Sequence, residues 1–185
     1  MTSPETSETP SECIGRLIRA LSNPGDLLRV ACQMVESAGE SLEQAGICES
    51  LPETHEIAVI VENWLAGLGS TADCDKAVAL ANALAKKAGD ETTKVSNGTH
   101  AHYLAASHLA HMLREYVGGL DNLPGQRLDW IASNCREAVS YARSRLRWSR
   151  AREQEALWQI ECLKTALELK PYEMGARVRN SLLTV

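Results

Sequence analysis

THAHYLAASHLAH, residues 99–111, decides how the chain is read, because its apolar side chains recur with the period of a helix. At about 100° per residue, Ala101, Ala105, Leu109, Met112 and Tyr116 fall on one face, with His102 and Leu113 beside them. His100 and His111 fall on the opposite, solvent side, and His108 sits on the border. The spacing predicts an amphipathic α-helix that stops at Gly118 and Gly119.

Working upstream, Ser70 or Thr71 is placed to cap a helix whose Ala77, Ala81, Leu84, Ala85 and Ala88 form a small-residue stripe ending at Gly89. Pro52 opens another helix running to Gly67. Its Ile57, Val59, Ile60, Val61, Trp64 and Leu65 spread around most of the circumference, which predicts a central position. Asn23 followed by Pro24 gives a cap with proline at the first helical position, and Leu27, Leu28, Val30, Ala31, Met34 and Val35 then face inward, the helix weakening near Gly39. Ser11 is expected to cap a short helix through Leu21. Downstream, Pro124 starts a long helical region reaching Leu169, interrupted around Ser149 and ended by Pro171. A short amphipathic helix over 172–183 follows. The expected architecture is all-α: one antiparallel helical bundle of about six to eight helices over residues 11–185, preceded by a disordered acidic tail at 1–10.

Bulk properties agree. The chain of 185 residues is 44% hydrophobic and 23% charged, enough for one well-buried core. Phe is absent, so Leu, Ala, Val and the four Trp are expected to fill the interior. No apolar run approaches the roughly 20 residues of a membrane helix, and the acidic opening MTSPETSETPSE has no signal-peptide character. The cytoplasm is the expected compartment. Cys13, Cys32, Cys48, Cys74, Cys135 and Cys162 are widely spaced, so free and mostly buried thiols are expected rather than zinc pairs or disulfides. Net charge is −5 but uneven: residues 1–66 hold 11 acidic and 3 basic side chains, residues 127–179 hold 7 and 11. Such asymmetry marks a partner surface or two ends of one fold attracting each other.

Three motifs carry possible chemistry. His108, His111 and Glu115 make an H-x-x-H-x-x-x-E set within a narrow arc, and two imidazoles with a carboxylate suit a transition metal. His100 stands about 16 Å along the axis from His111, so the four histidines of this helix cannot form one site, and surface or boundary histidines are the simpler reading. YARSRLRWSRAR, residues 141–152, offers five arginines and two aromatics. As a helix it would put Arg143, Arg147 and Arg150 on one face with Trp148 nearby, a set suited to docking a protein or, less readily in an acidic chain, to phosphates and bases. Arg150 with Glu153 and Arg152 with Glu155 have the spacing of intrahelical pairs. GLGSTA, residues 67–72, matches a dinucleotide fingerprint in letters only, because ENWLA separates it from the strand-like IAVIV; a helix end, a glycine turn and a new cap explain it. Asp73 and Asp75 flank Cys74 and disfavour its thiolate. No catalytic motif is present, and no cofactor is expected.

Two resemblances add to this reading. ECLKTALELKP, residues 161–171, resembles the second helix and closing proline of a tetratricopeptide repeat. LLRVAC, AVIVENWLAG, KAVALANALAKKA and AHYLAASHLAHML, across residues 27–117, are similar to a loose group of bacterial Ala-rich helical proteins that includes immunity proteins of toxin systems and helical segments of planctomycetes. The shared positions are Ala31, Cys32, Trp64, Gly67, Ala105, Ala106 and His108. The second resemblance implies a small helical protein that binds another protein. The expected function is therefore non-catalytic protein binding through Arg143, Arg147, Trp148 and Arg150, with a toxin-neutralising or defence role as its specialisation. Nucleic-acid-binding regulation through residues 141–152 and metal-dependent catalysis at His108, His111 and Glu115 are the alternatives.

Overall fold

The computed structural model describes residues 8–47, 51–89, 95–119, 125–145 and 150–168. These form seven α-helices: α1 Pro10–Ala20, α2 Pro24–Gln44, α3 Leu51–Leu65, α4 Thr71–Gly89, α5 Asn97–Val117, α6 Gly125–Arg145 and α7 Ala151–Glu168. No strand occurs among the described residues, and the protein is an all-α bundle. The expected helix over 172–183, its preceding Pro171 and most of the expected acidic tail lie outside the described residues.

Local chemistry sets most of the helix ends. Asn23 Oδ1 accepts from the amides of Gly25 and Asp26 while Pro24 occupies the first turn. The Ser70 hydroxyl accepts from the Asp73 amide and the Asp73 carboxylate accepts from the Ser70 amide, which fixes the start of α4. α1 begins one turn fraction earlier than the Ser11 cap would place it. Thr9 is the cap, locked with Glu12 in a reciprocal capping box. α2 also departs from expectation, for it runs straight through Gly39 to Gln44 and is closed by Gly46. There, as at Gly67 after α3, a glycine at φ of +73° or +75° closes a Schellman turn. Ile47 donates to Leu42 O and Gly46 to Glu43 O; Leu68 donates to Asn63 O and Gly67 to Trp64 O. GLGSTA is thus a helix end, a turn and a cap.

Burial places α2, α5 and α6 in mutual contact at the centre. Leu28, Met34, Leu42, Leu109, Met112, Leu113, Leu128 and Ile131 are fully buried there. α3 flanks this trio against α2 and α5, α4 against α5, and α1 and α7 against α6. α3 is therefore not the central element its composition suggested, and its Val59 is exposed. In α4 the buried stripe is Cys74, Ala77, Val78, Ala81 and Leu84; Ala85, expected in it, points to solvent. Small residues let α5 approach closely: a Cβ on Gly98 would fall 2.6 Å from Cδ1 of Tyr141. The Trp side chains do not fill the core as expected, since Trp64 and Trp158 are half-buried and Trp130 is exposed. Trp148 lies outside the described residues. Of the cysteines described, Cys32, Cys74, Cys135 and Cys162 are buried free thiols and Cys13 is half-buried. Among the described residues no helix is long and apolar enough to cross a membrane.

Candidate functional site

Helix α5 reaches three surroundings at once, and its histidines behave differently in each. His100 is exposed at the first turn. Outward, toward α6, His108 and His111 are half-buried. Glu115 is engaged by Arg127 of α6, whose Nε donates to Oε1 at 2.8 Å and whose terminal nitrogen lies 2.6 Å from the same oxygen. Burial, then the Arg127 charge, holds both imidazoles below their ordinary pKa. A guanidinium therefore already neutralises the carboxylate that a metal at His108, His111 and Glu115 would need, and its charge opposes a second cation. His108 instead stacks on Trp130, ring centroids 4.9 Å apart and planes tilted by 38°.

Trp130 and Arg127 were not among the residues singled out by motif. Trp130 is nonetheless readable on a helical wheel of α6, where Leu128, Ile131, Ala132, Cys135, Ala138, Val139 and Ala142 are buried and Trp130 falls outside their arc. It is 44% exposed, a large aromatic surface left to solvent beside an imidazole and an ion pair.

The arginine-rich stretch does not form one helical face. α6 ends at Arg145 and α7 begins at Ala151, with Arg150 in the left-handed region at φ of 63°. Arg143 and Arg150 therefore belong to different elements, and Arg147 and Trp148 lie outside the described residues. Arg143 donates to Gln154 Oε1 at 3.1 Å, and Arg152 pairs with Glu137 of α6 at 3.7 Å rather than with Glu155 along its own helix. Arg150 is exposed. The acidic N-terminal half is met partly by lysines of α4, Glu53 by Lys87 and Glu56 by Lys76.

Between α6 and α7 lies a buried polar junction. Gln159 donates to Ala132 O at 3.1 Å and to Glu155 Oε1 at 3.2 Å, and accepts from Arg136 at 2.7 Å. Burial pushes the Glu155 carboxyl up to about 7 against the opposing pull of Arg143. The same burial raises the Cys135 and Cys162 thiols. The Cys74 thiol is likewise raised, by burial first and by Asp75 second, while Asp73 is turned to Ser70. Inert thiols are the consequence.

The inner side of α5 contributes to a cleft of about 580 Å³ between α2 and the start of α3. Val35 and Ala58 line it together with Gly39 and His102, and Glu36, Glu40 and Glu43 stand along its α2 side opposite Thr54 and His55. His102 is 2% exposed. Its Nε2 lies 3.0 Å from Val35 O, and Nδ1 is buried without a hydrogen-bond partner. Burial lowers the ring's pKa to about 4, so at neutral pH Nε2 carries the proton and donates while Nδ1 offers a lone pair. Beyond this cleft, Cys32 Sγ and carboxylate oxygens of Glu36 and Glu62 lie within 4.8 Å of one another. The Cys32 thiol donates to Ala58 O at 3.5 Å and so keeps its proton, and two carboxylates beside it disfavour the thiolate a metal would take.

No protein-family model, curated protein or solved structure matches the chain.

Proposed function

We propose that the protein is a non-catalytic protein-binding module that docks its partner on the α5–α6 face centred on Trp130. The observation that carries this reading is the 44% exposure of Trp130 while its ring is held against His108. Trp and Arg dominate the energetic centres of protein interfaces, and an aromatic fixed before binding loses little side-chain freedom on docking. The Arg127–Glu115 pair beside it supports a polar rim. The tie of Arg143 to Gln154 and of Arg152 to Glu137 favours a protein over nucleic acid, because both guanidiniums already have partners in the chain. The resemblance to immunity proteins of toxin systems suggests a toxin as the partner and the cytoplasm as the place of encounter.

The test is capture from nuclease-treated lysate on the full chain, on Trp130→Ala and on Arg143→Ala/Arg150→Ala, with Tm measured for each. One stoichiometric protein held by the wild type and lost from Trp130→Ala at unchanged Tm is the expected result. Loss confined to the arginine pair would move the docking site to the α6–α7 junction. Undiminished capture by both variants would overturn the reading.

A further inference from the structure

We propose that two copies of this chain exchange α1, each seating its first helix against α6 and α7 of the other, so that both bundles close as a reciprocal dimer. The exchange is separate from the Trp130 face and does not depend on it.

α1 is held by its apolar face alone. Ile14, Leu17 and Ile18 are buried on one side, while Ser11, Glu12, Arg16 and Arg19 are exposed on the other. The helix rests on α7 and α6 rather than on α2, which follows it in the chain. Its polar ties are local: Thr9 and Glu12 cap each other, and Arg16 pairs with Glu8 at 2.9 Å. Arg16, Arg19 and Asp129 of α6 line one cavity of about 560 Å³, yet neither arginine bonds to that carboxylate. Among the described residues no hydrogen bond or ion pair joins α1 to another helix. α1 can therefore leave its seat without orphaning a donor or an acceptor. It cannot stay away, because Ile14, Leu17 and Ile18 would be returned to water.

The link to α2 supplies an independent observation. Only Leu21, Ser22 and Asn23 separate Ala20 from Pro24. Leu21 (φ −76°, ψ 111°) and Asn23 (φ −85°, ψ 118°) are extended, and Ser22 and Asn23 are exposed. The Leu21 amide closes α1 onto Leu17 O and Ile18 O, and the Leu27 amide opens α2 onto Asn23 O, so among the described residues no backbone hydrogen bond spans the link. Each helix has its own cap, Thr9 for α1 and Asn23 for α2, and keeps it in either form. Pro24 fixes the first turn of α2 and confines rotation to the three residues before it. Short hinges invite exchange. A second copy is the fitting partner because α1 is itself the helix shaped to this seat: Ile18 Cγ2 lies 3.1 Å from where a Cβ on Gly125, at the start of α6, would stand. An identical helix fits identically, and reciprocal exchange closes on a two-fold axis with no seat left empty.

A short tether holds α1 near its own seat at an effective concentration of about 1 mM, so exchange rises as the chain approaches that concentration. The experiment refolds the full chain from urea at about 1 mM and at about 10 µM and reads its mass by light scattering after size exclusion. A dimer abundant at the higher concentration and scarce at the lower is expected. Its connection is read with Ile18→Cys/Gly125→Cys in a Cys13→Ser/Cys48→Ser background, the two new thiols lying within disulfide reach. Oxidised and run without reductant, the dimer fraction should contain covalently paired chains and the monomer fraction chains closed on themselves. In the otherwise native chain, a Gly-Ser-Gly-Ser insertion after Ser22 should lower the dimer share several-fold, and Trp130→Ala should leave it unchanged. Monomer at both concentrations, a dimer fraction whose disulfides all lie within single chains, or a dimer share that the insertion leaves unchanged or that Trp130→Ala abolishes would overturn the proposal.

Discussion

His102 of α5 reaches across to α2 and places its Nε2 3.0 Å from the carbonyl oxygen of Val35, joining the two helices through residues 67 apart in sequence. The ring is held neutral, with its pKa lowered from 6.5 to about 4 by burial. An unfolded chain takes up a proton on this histidine below pH 6.5, and the folded protein resists doing so until about pH 4. Stability contributed here is complete above pH 6.5 and is lost as pH falls, by roughly 3 kcal/mol across the window. His102→Gln should abolish this acid-side loss, which urea unfolding between pH 4 and 7.5 measures.

Glu155 has the opposite sign. Its folded pKa is raised from 4.5 to about 7, so the folded state holds a proton that the unfolded chain releases. Its contribution is complete below pH 4.5 and is lost as pH rises toward 7, again by roughly 3 kcal/mol. Between pH 4.5 and 6.5 the two residues oppose each other and flatten the wild-type profile. Glu155→Gln, which keeps an acceptor for Gln159, should unfold less readily than wild type above pH 7 and show the His102 slope uncovered. The same unfolding series checks it, and an unchanged profile would mean that Glu155 is ionised in the fold.

Arg150 adopts φ of 63° immediately before α7. A side chain in this region costs about 1–2 kcal/mol that glycine avoids, partly offset by glycine's greater freedom in the unfolded chain. Arg150→Gly should raise stability by about 0.5–1 kcal/mol, whereas Arg150→Ala, which keeps Cβ, should not. Comparison of the two Tm values decides between backbone strain and lost side-chain contacts.

Much of the bundle was legible because its signals are local. Asn23 and Pro24, Ser70, and the glycines after α5 act within a turn of themselves, and the inward faces of α2 and α5 follow from a single period. What escaped depends on neighbours in space. Gly39 reads as a weak point of its helix until His102 is seen packed against it, and the arginines read as one face until the chain turns at Arg150. Likewise the spacing of His108, His111 and Glu115 says nothing of Arg127, which arrives from α6. The cleft bordered by Glu36, Glu40 and Glu43 was not read at all, because its lining is assembled from three helices.

α1 packs against α7 and α6 rather than against its neighbour α2. Once Ile14, Leu17 and Ile18 have left the ribosome, about 130 residues must follow before α7 begins to appear. At roughly 5–20 residues per second this amounts to about 7–26 s of uncovered apolar surface. α1 is thus made long before the helix it seats against, and its apolar face stays sticky until α7 arrives.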